Sequence, residues 1–186
     1  MFRIDDAFIE KWHKQYAEHD EEEYERLVAQ IGLETRSTLT MSEETFKKLY
    51  KWKTRNRTKR FLKMAEYQTL YAPAFKRCLL APKEQKLAEL VADQNKLPGV
   101  DTATATTIIH FLHPQAMPIM DVRTVEVLSD FGYIPASRVS FQAYEKFRAA
   151  IDLIAKELPG CSYRLIDRAL FAYHKKEFSP GKSSRG

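Results

Sequence analysis

Apolar residues recur along the chain at the spacing of α-helices, and no segment shows the sustained alternation typical of a half-buried strand. After residue 100, for example, Ala105, Ile108, Ile109 and Leu112 fall on one helical face. We therefore predict an all-α protein, a single compact domain of about eight helices over residues 1–178. The predicted helices cover residues 5–31 (one helix or two), 40–53, 58–71, 82–94, 101–113, 121–131, 140–158 and 162–178.

Capping and helix-breaking residues mark the boundaries of these helices. Thr40 followed by Glu43 resembles a capping box, and Asp121 is predicted to cap the helix that begins there. Gly32 is predicted to close the first helical segment, and Pro73 to stop the helix before it. The Gly- and Ser-containing tail, residues 179–186, is predicted to be a disordered basic tail.

The sequence Leu97-Pro98-Gly99-Val100 predicts a tight hairpin between two helices, because Gly99 tolerates positive φ. Backbone N–H groups at such a turn and helix start form a concavity suited to an anion. A DNA phosphate is the anion we expect. The candidate DNA-binding residues here are Lys96, Gly99, Val100, Asp101, Thr102 and Thr104. The alternative is a simple αα-hairpin that uses Pro-Gly as its turn.

This segment resembles the helix-hairpin-helix DNA glycosylase superfamily, which includes endonuclease III and 8-oxoguanine glycosylase. Three features carry the resemblance: Leu97–Val100, the pair Thr104-Ala105, and Asp121 within Pro118-Ile119-Met120-Asp121. The resemblance implies a glycosylase-like fold with its helix-hairpin-helix at about 83–113. It also implies cleavage of an N-glycosidic bond with Asp121 as the catalytic carboxylate. A plain helix N-cap is the other role for Asp121.

Two departures from the family pattern change the expected chemistry. Asp101 stands at the second glycine of the hairpin, where relatives approach a phosphate with bare backbone. Ala103 and Ala92 occupy the positions at which bifunctional relatives carry a nucleophilic lysine, and alanine cannot form a Schiff base. The resemblance therefore implies a monofunctional N-glycosylase without lyase activity.

Charge is distributed unevenly, which strengthens the case for a nucleic-acid partner. The net charge is +5, but residues 1–44 hold 5 basic and 12 acidic residues, whereas 45–65 hold 9 basic residues and no acid. Such clustering attracts a polyanion to the middle of the chain. The candidate DNA-binding residues there are Lys51, Trp52, Lys53, Arg55 and Arg57, and Arg123 is a further candidate near Asp121. A solvated helix end with Trp52 in the core is the alternative.

Other features of the sequence exclude several classes of site. Two cysteines, Cys78 and Cys161, cannot form a disulfide framework, a four-thiolate zinc site or an iron–sulfur cluster. His110 and His113 are three residues apart, a spacing compatible with a metal, but they lack an evident third ligand. We predict no metal and no cofactor. Neither a membrane-spanning segment nor a signal peptide is evident, so a cytoplasmic location is expected, with association to the nucleoid if DNA is bound.

Three functional hypotheses follow. The first is a monofunctional DNA N-glycosylase that removes a damaged or mispaired base from double-stranded DNA. The second is a non-catalytic module that binds DNA or structured RNA through phosphate contacts. The third is a protein-interaction domain in which the hairpin serves only as architecture. The steep salt dependence of phosphate contacts separates the first two from the third.

Overall fold

The computed structural model describes residues 3–55 and 63–178. Regular structure in these ranges is entirely helical, which confirms the predicted all-α class. The α-helices in them are α1 (Asp6–His13), α2 (Glu18–Thr38), α3 (Glu43–Thr54), α4 (Ala72–Leu80), α5 (Ala88–Val91), α6 (Thr102–Leu112), α7 (Val122–Asp130), α8 (Phe141–Glu157) and α9 (Tyr163–Lys176). A 3-10 helix (Met64–Glu66) and a π-helix (Tyr67–Tyr71) lead into α4. None of the described helices combines the length and apolar character needed to cross a bilayer.

Side-chain caps start the helices of the C-terminal half where the sequence predicts them. Asp101 caps α6 by accepting a hydrogen bond from Thr104 N–H at 2.9 Å. Asp121 caps α7 by accepting from Thr124 N–H at 3.0 Å, and the Thr124 hydroxyl accepts from Asp121 N–H at 3.1 Å. Ser140 and Ser162 cap α8 and α9 in the same way. These caps satisfy backbone donors that a helix start leaves unpaired.

The first helical segment ends later than predicted. Gly32 does not close it, because α2 continues to Thr38 and the left-handed conformation falls at Leu39, with φ of 56°. The extra turns carry Glu34, whose carboxylate accepts a hydrogen bond from Ser42 N–H at 2.7 Å. Ser42, rather than Thr40, is the N-cap of α3. The contact between Glu34 and Ser42 joins the two helices, and it outweighs the modest cost of an internal glycine.

The segment over 82–94 is far less helical than predicted. Only the four residues of α5 are α-helical, and turns flank them. The reason lies in Lys86, which is 7% exposed and donates to the carbonyls of Cys78 and Leu79 at 2.9 and 3.0 Å. This ammonium group caps the C-terminal end of α4, where a helix attracts a cation. The chain therefore bends to bring Lys86 there.

Pro73 does not stop a helix either. It lies in the first turn of α4, a position that lacks an internal hydrogen-bond partner and therefore tolerates proline. The preceding residues form the π-helix, which continues directly into α4. The predicted helix over 58–71 is confirmed only in part: regular structure begins at Met64, and residues 56–62 lie outside the described ranges.

The helices pack as two groups that share one core. In the first group α2, α3 and α6 pack together, and α5 joins α6 to α4. In the second group α1, α7 and α8 all pack on α9. Aromatic side chains fill both groups: Phe46 meets Phe75 with ring centres 5.1 Å apart, and Trp12 meets Tyr173 at 5.3 Å. The junction of the two groups is where the side chains of the candidate site meet.

Candidate functional site

The loop that leads to Asp121 is held by three buried side chains. His110 on α6 has its Nδ1 2.7 Å from the carbonyl oxygen of Met117. The Tyr144 hydroxyl donates to the carbonyl of Pro118 at 3.0 Å. Met120 N–H donates to the hydroxyl of Thr106 at 3.1 Å. The loop before α7 is therefore hydrogen-bonded to α6 on one side and to α8 on the other. These contacts fix the position of Asp121, the N-cap of α7.

Both ring nitrogens of His110 are engaged within the core. A carbonyl can only accept, so Nδ1 carries the proton and Nε2 accepts from the Tyr24 hydroxyl at 2.8 Å. Burial lowers the pKa of His110 to about 4, so the ring is neutral at pH 7. Within the described parts of the chain, no group of three or more His, Cys, Asp and Glu side chains is placed to hold a metal ion. The role of His110 is to position the loop before Asp121.

Asp121 faces a lysine from the other helix group. Its Oδ1 accepts the capping hydrogen bond, and its Oδ2 lies 3.9 Å from Nζ of Lys53 on α3. The two side chains are only 17% and 18% exposed, so the ion pair is screened less than a surface pair. The sequence predicts both residues as functional but does not predict that they meet.

Arg164 on α9 adds two further ion pairs close to Lys53 and Asp121. It is 7% exposed, and its Nε and Nη2 donate to the same Glu21 oxygen at 3.0 and 2.7 Å. Its Nη1 donates to Asp167 at 2.6 Å. Burial raises the pKa of Asp167 to about 6, the charge of Asp121 adds to the rise, and Arg164 opposes it. We name these residues the junction cluster: Glu21, Lys53, Asp121, Arg164 and Asp167.

Helix α3 connects the junction cluster to the turn at Gly99. The Tyr50 hydroxyl donates to the carbonyl of Gly99 at 3.2 Å, and Lys53, three residues further along α3, faces Asp121. Because a helix rises about 1.5 Å per residue, less than one turn of α3 separates the two contacts. The Tyr71 hydroxyl donates to the carbonyl of Pro98 at 2.7 Å. The turn and the catalytic candidate thus share one scaffold, which the sequence does not reveal.

The predicted DNA-binding residues at the turn differ in accessibility. Gly99 adopts φ of 73°, as predicted, and Lys96 is exposed. Val100 and Thr104 are 3% and 4% exposed, so their side chains belong to the core rather than to a surface that contacts DNA. An open groove of about 530 Å³ borders the turn. Its lining is formed by Val91, Lys96, Leu97, Pro98, Gly99, Val100, Asp101, Thr102 and Phe141, and does not include the junction cluster.

The basic segment is divided between surface and core. Lys51 is exposed, and Arg55 is exposed but forms an ion pair with Asp20. Trp52 is half-buried, with its ring 5.2 Å from that of Phe111 and its Nε1 donating to the carbonyl of Asp20 at 3.4 Å. These contacts favour the architectural alternative for Trp52 over stacking on a base. Arg57 lies outside the described residues.

Several residues of the site do not stand out in the sequence. Glu21 lies in the acidic run Asp20–Glu23 and Asp167 is followed directly by Arg168, yet both Glu21 and Asp167 are partners of Arg164. Arg164 itself was not predicted. Arg164 and Asp167 are three residues apart, a spacing at which side chains on a helix can form an ion pair, and this is the local feature that points to their contact. Phe171, over which the guanidinium of Arg123 lies at 4.6 Å, was also missed.

Comparisons with models of protein families, with curated proteins and with solved structures gave no significant match.

Proposed function

We propose that this chain is a monofunctional DNA N-glycosylase in which Asp121 is the catalytic carboxylate. The observation that carries the proposal is the placement of Asp121, a largely buried carboxylate at the start of α7, 3.9 Å from Lys53 and beside Asp167. The resemblance over Leu97–Val100, Thr104-Ala105 and Asp121 supplies the reaction class. We likewise propose that residues 83–113 act as a helix-hairpin-helix within a glycosylase-like fold.

The proposed chemistry uses the charge of the carboxylate. Cleavage of an N-glycosidic bond builds positive charge on the sugar, and a fixed carboxylate that faces the sugar stabilises this transition state. The same group can orient or deprotonate the attacking water. In this scheme Lys53 helps to hold the Asp121 carboxylate in place, and the loop anchored by His110 and Thr106 fixes its position.

A non-catalytic nucleic-acid-binding module is the second candidate. The observation that favours it is that both oxygens of Asp121 already have partners, Thr124 N–H and Lys53 Nζ. In this alternative, Asp121 serves only as the N-cap of α7. A DNA phosphate replaces the Asp121 carboxylate as the partner of Lys53. Binding would then occur without any loss of bases.

The test uses labelled duplexes that carry a panel of damaged and mismatched bases, followed by alkali to cut abasic sites. We expect wild-type protein to produce cleavage with at least one duplex, and Asp121→Asn to lower the rate by about 10²–10⁴-fold. Asparagine caps a helix about as well as aspartate, so this substitution removes the charge while preserving the start of α7. Unchanged melting temperature of the variant verifies that the fold survives.

Asp6→Asn is the matched control, because Asp6 is an exposed aspartate in the first turn of α1, outside the junction cluster. It is expected to cut at the wild-type rate. Cutting by Asp121→Asn at that same rate would refute the catalytic assignment. Strand breaks before alkali would show lyase activity, contrary to the monofunctional proposal. Retention of duplexes without cutting would favour the binding module.

A further inference from the structure

Phe171 on α9 brings together two arginines that lie far apart in the sequence. The guanidinium carbon of Arg123 lies 4.6 Å from the centre of its ring, and that of Arg55 lies 5.9 Å from it. Tyr16 packs edge-on against the same ring, with ring centres 5.6 Å apart. We name Arg55, Arg123 and Phe171 the arginine platform. Because Phe171 and Arg123 are only half-buried, the platform reaches the surface.

The platform borders the junction cluster through two different helices. Phe171 follows Asp167 by four residues on α9, and residues four apart lie on the same side of a helix. Arg123 follows Asp121 by two residues in the first turn of α7. A group bound at the platform would therefore lie within about one helical turn of Asp167 and of Asp121, the carboxylate that we propose as catalytic.

Each charged side chain of the junction cluster faces a partner of opposite charge, whereas the charges of the platform are only partly paired. Lys53 faces Asp121, and Arg164 faces Glu21 and Asp167. Arg123, by contrast, forms no ion pair with any residue that the structure describes. Arg55 is paired with Asp20, but its side chain is 50% exposed and is therefore accessible to an external anion. Arg123 can turn towards such an anion without breaking an ion pair with a described residue.

We propose that the arginine platform binds a backbone phosphate of DNA beside the nucleotide that Asp121 faces, an inference that rests on the proposed function. A guanidinium group donates two parallel hydrogen bonds to phosphate oxygens, a geometry that an ammonium group cannot match. Contact with Phe171 restrains Arg123 before binding, so less side-chain freedom is lost when the phosphate arrives. A phosphate contact of this kind positions the strand without reading its sequence.

The test measures binding of wild-type protein and variants to a duplex containing a tetrahydrofuran abasic-site analogue, which has no base to excise. Fluorescence anisotropy over a series of KCl concentrations gives the slope of log K against log salt. Arg123→Met is expected to weaken binding about tenfold and to reduce the slope by about 0.9, since one phosphate contact is lost. Arg123→Lys is expected to keep the slope but to bind more weakly than wild type.

Arg138→Met is the control, because Arg138 is an exposed arginine in the loop before α8. It is expected to leave the slope unchanged. The inference is overturned if Arg123→Met binds the duplex as tightly as wild type does, or if Arg123→Met and Arg138→Met lower the slope equally. It is also overturned if the wild-type protein does not bind the duplex.

The proposed glycosylase activity and the proposed phosphate site can each be refuted without the other. Base excision that depends on Asp121, together with an unchanged slope for Arg123→Met, would leave the glycosylase standing and remove the phosphate site. A slope that depends on Arg123, together with no base excised from any duplex of the panel, would leave the phosphate site standing and remove the catalytic role.

Discussion

Arg164→Leu is expected to lower the free energy of unfolding by about 3–5 kcal/mol, because it leaves the buried carboxylate of Asp167 without its hydrogen-bonded partner and leaves Glu21 with the longer 3.5 Å contact to Arg168. The substitution removes the hydrogen bonds to Glu21 and Asp167. It also removes a guanidinium group that lies 4.2 Å from the ring centre of Tyr24 and 4.9 Å from that of Tyr16. Urea unfolding followed by circular dichroism measures the loss. For a domain of this size the melting temperature should fall by about 10 °C.

The matched control is Arg26→Leu on α2. Arg26 is exposed, and the contact described for its guanidinium is a hydrogen bond to the carbonyl of Glu22 at 3.2 Å. Its replacement is expected to change stability by less than about 0.5 kcal/mol. A comparable loss in the two variants would show that the interactions of Arg164 with Glu21 and Asp167 are not what stabilises the junction.

The cost of Arg164→Leu should depend on pH in a direction set by Asp167. Burial already raises the pKa of Asp167 to about 6, and removal of the opposing Arg164 raises it further. A carboxyl whose pKa is raised on folding favours the folded state at low pH, and this contribution is lost as pH rises through the folded pKa. The variant should therefore lose less stability at pH 5 than at pH 8. Adding Asp167→Asn should reduce the loss at pH 8.

The helices that could be predicted from the sequence are those whose ends are fixed by local chemistry. α6, α7, α8 and α9 begin at Asp101, Asp121, Ser140 and Ser162, each of which accepts a hydrogen bond from the backbone N–H three residues later. Such a cap needs only residues within one turn, so a linear pattern contains it.

Elements shaped by contacts that reach beyond one helical turn could not be predicted in the same way. α5 is short because Lys86 caps α4, and α2 outlasts Gly32 because Glu34 reaches Ser42. In both cases a hydrogen bond between residues eight apart in the sequence overrides the signal within one helical turn. Helix propensity is a weak determinant once a buried polar group must be satisfied.

The candidate site shows the same division. Asp121 stands out in the sequence because its motif and its capping role are both local. Arg164 and Glu21 are 143 residues apart, and no linear pattern pairs them. Lys53 was predicted to contact phosphate because it lies in a basic run, yet the structure places it opposite Asp121. The sequence thus reveals which residues carry charge, whereas the meeting of the two helix groups determines which charges face each other.

His110→Leu is expected to lower the free energy of unfolding by about 2–5 kcal/mol at pH 7.5, because it leaves two buried groups without partners. These are the carbonyl of Met117, 2.7 Å from His110 Nδ1, and the hydroxyl of Tyr24, 2.8 Å from Nε2. Adding Tyr24→Phe removes one of the two unpaired groups and should recover about 1 kcal/mol or more. Urea unfolding of wild type, the single variant and the double variant measures both effects.

The stability difference between wild type and His110→Leu should narrow as the solution becomes acidic. Burial lowers the pKa of His110 to about 4 from its usual 6.5, so the unfolded chain binds a proton that the folded protein excludes. The contribution of neutral His110 is complete above pH 6.5 and is lost as pH falls towards 4. Between pH 7.5 and pH 5 the difference should shrink by up to about 2 kcal/mol. A constant difference over that range would mean that folding does not lower the pKa of His110, so that the folded ring takes up a proton in acid as the unfolded chain does, contrary to the buried, neutral ring described.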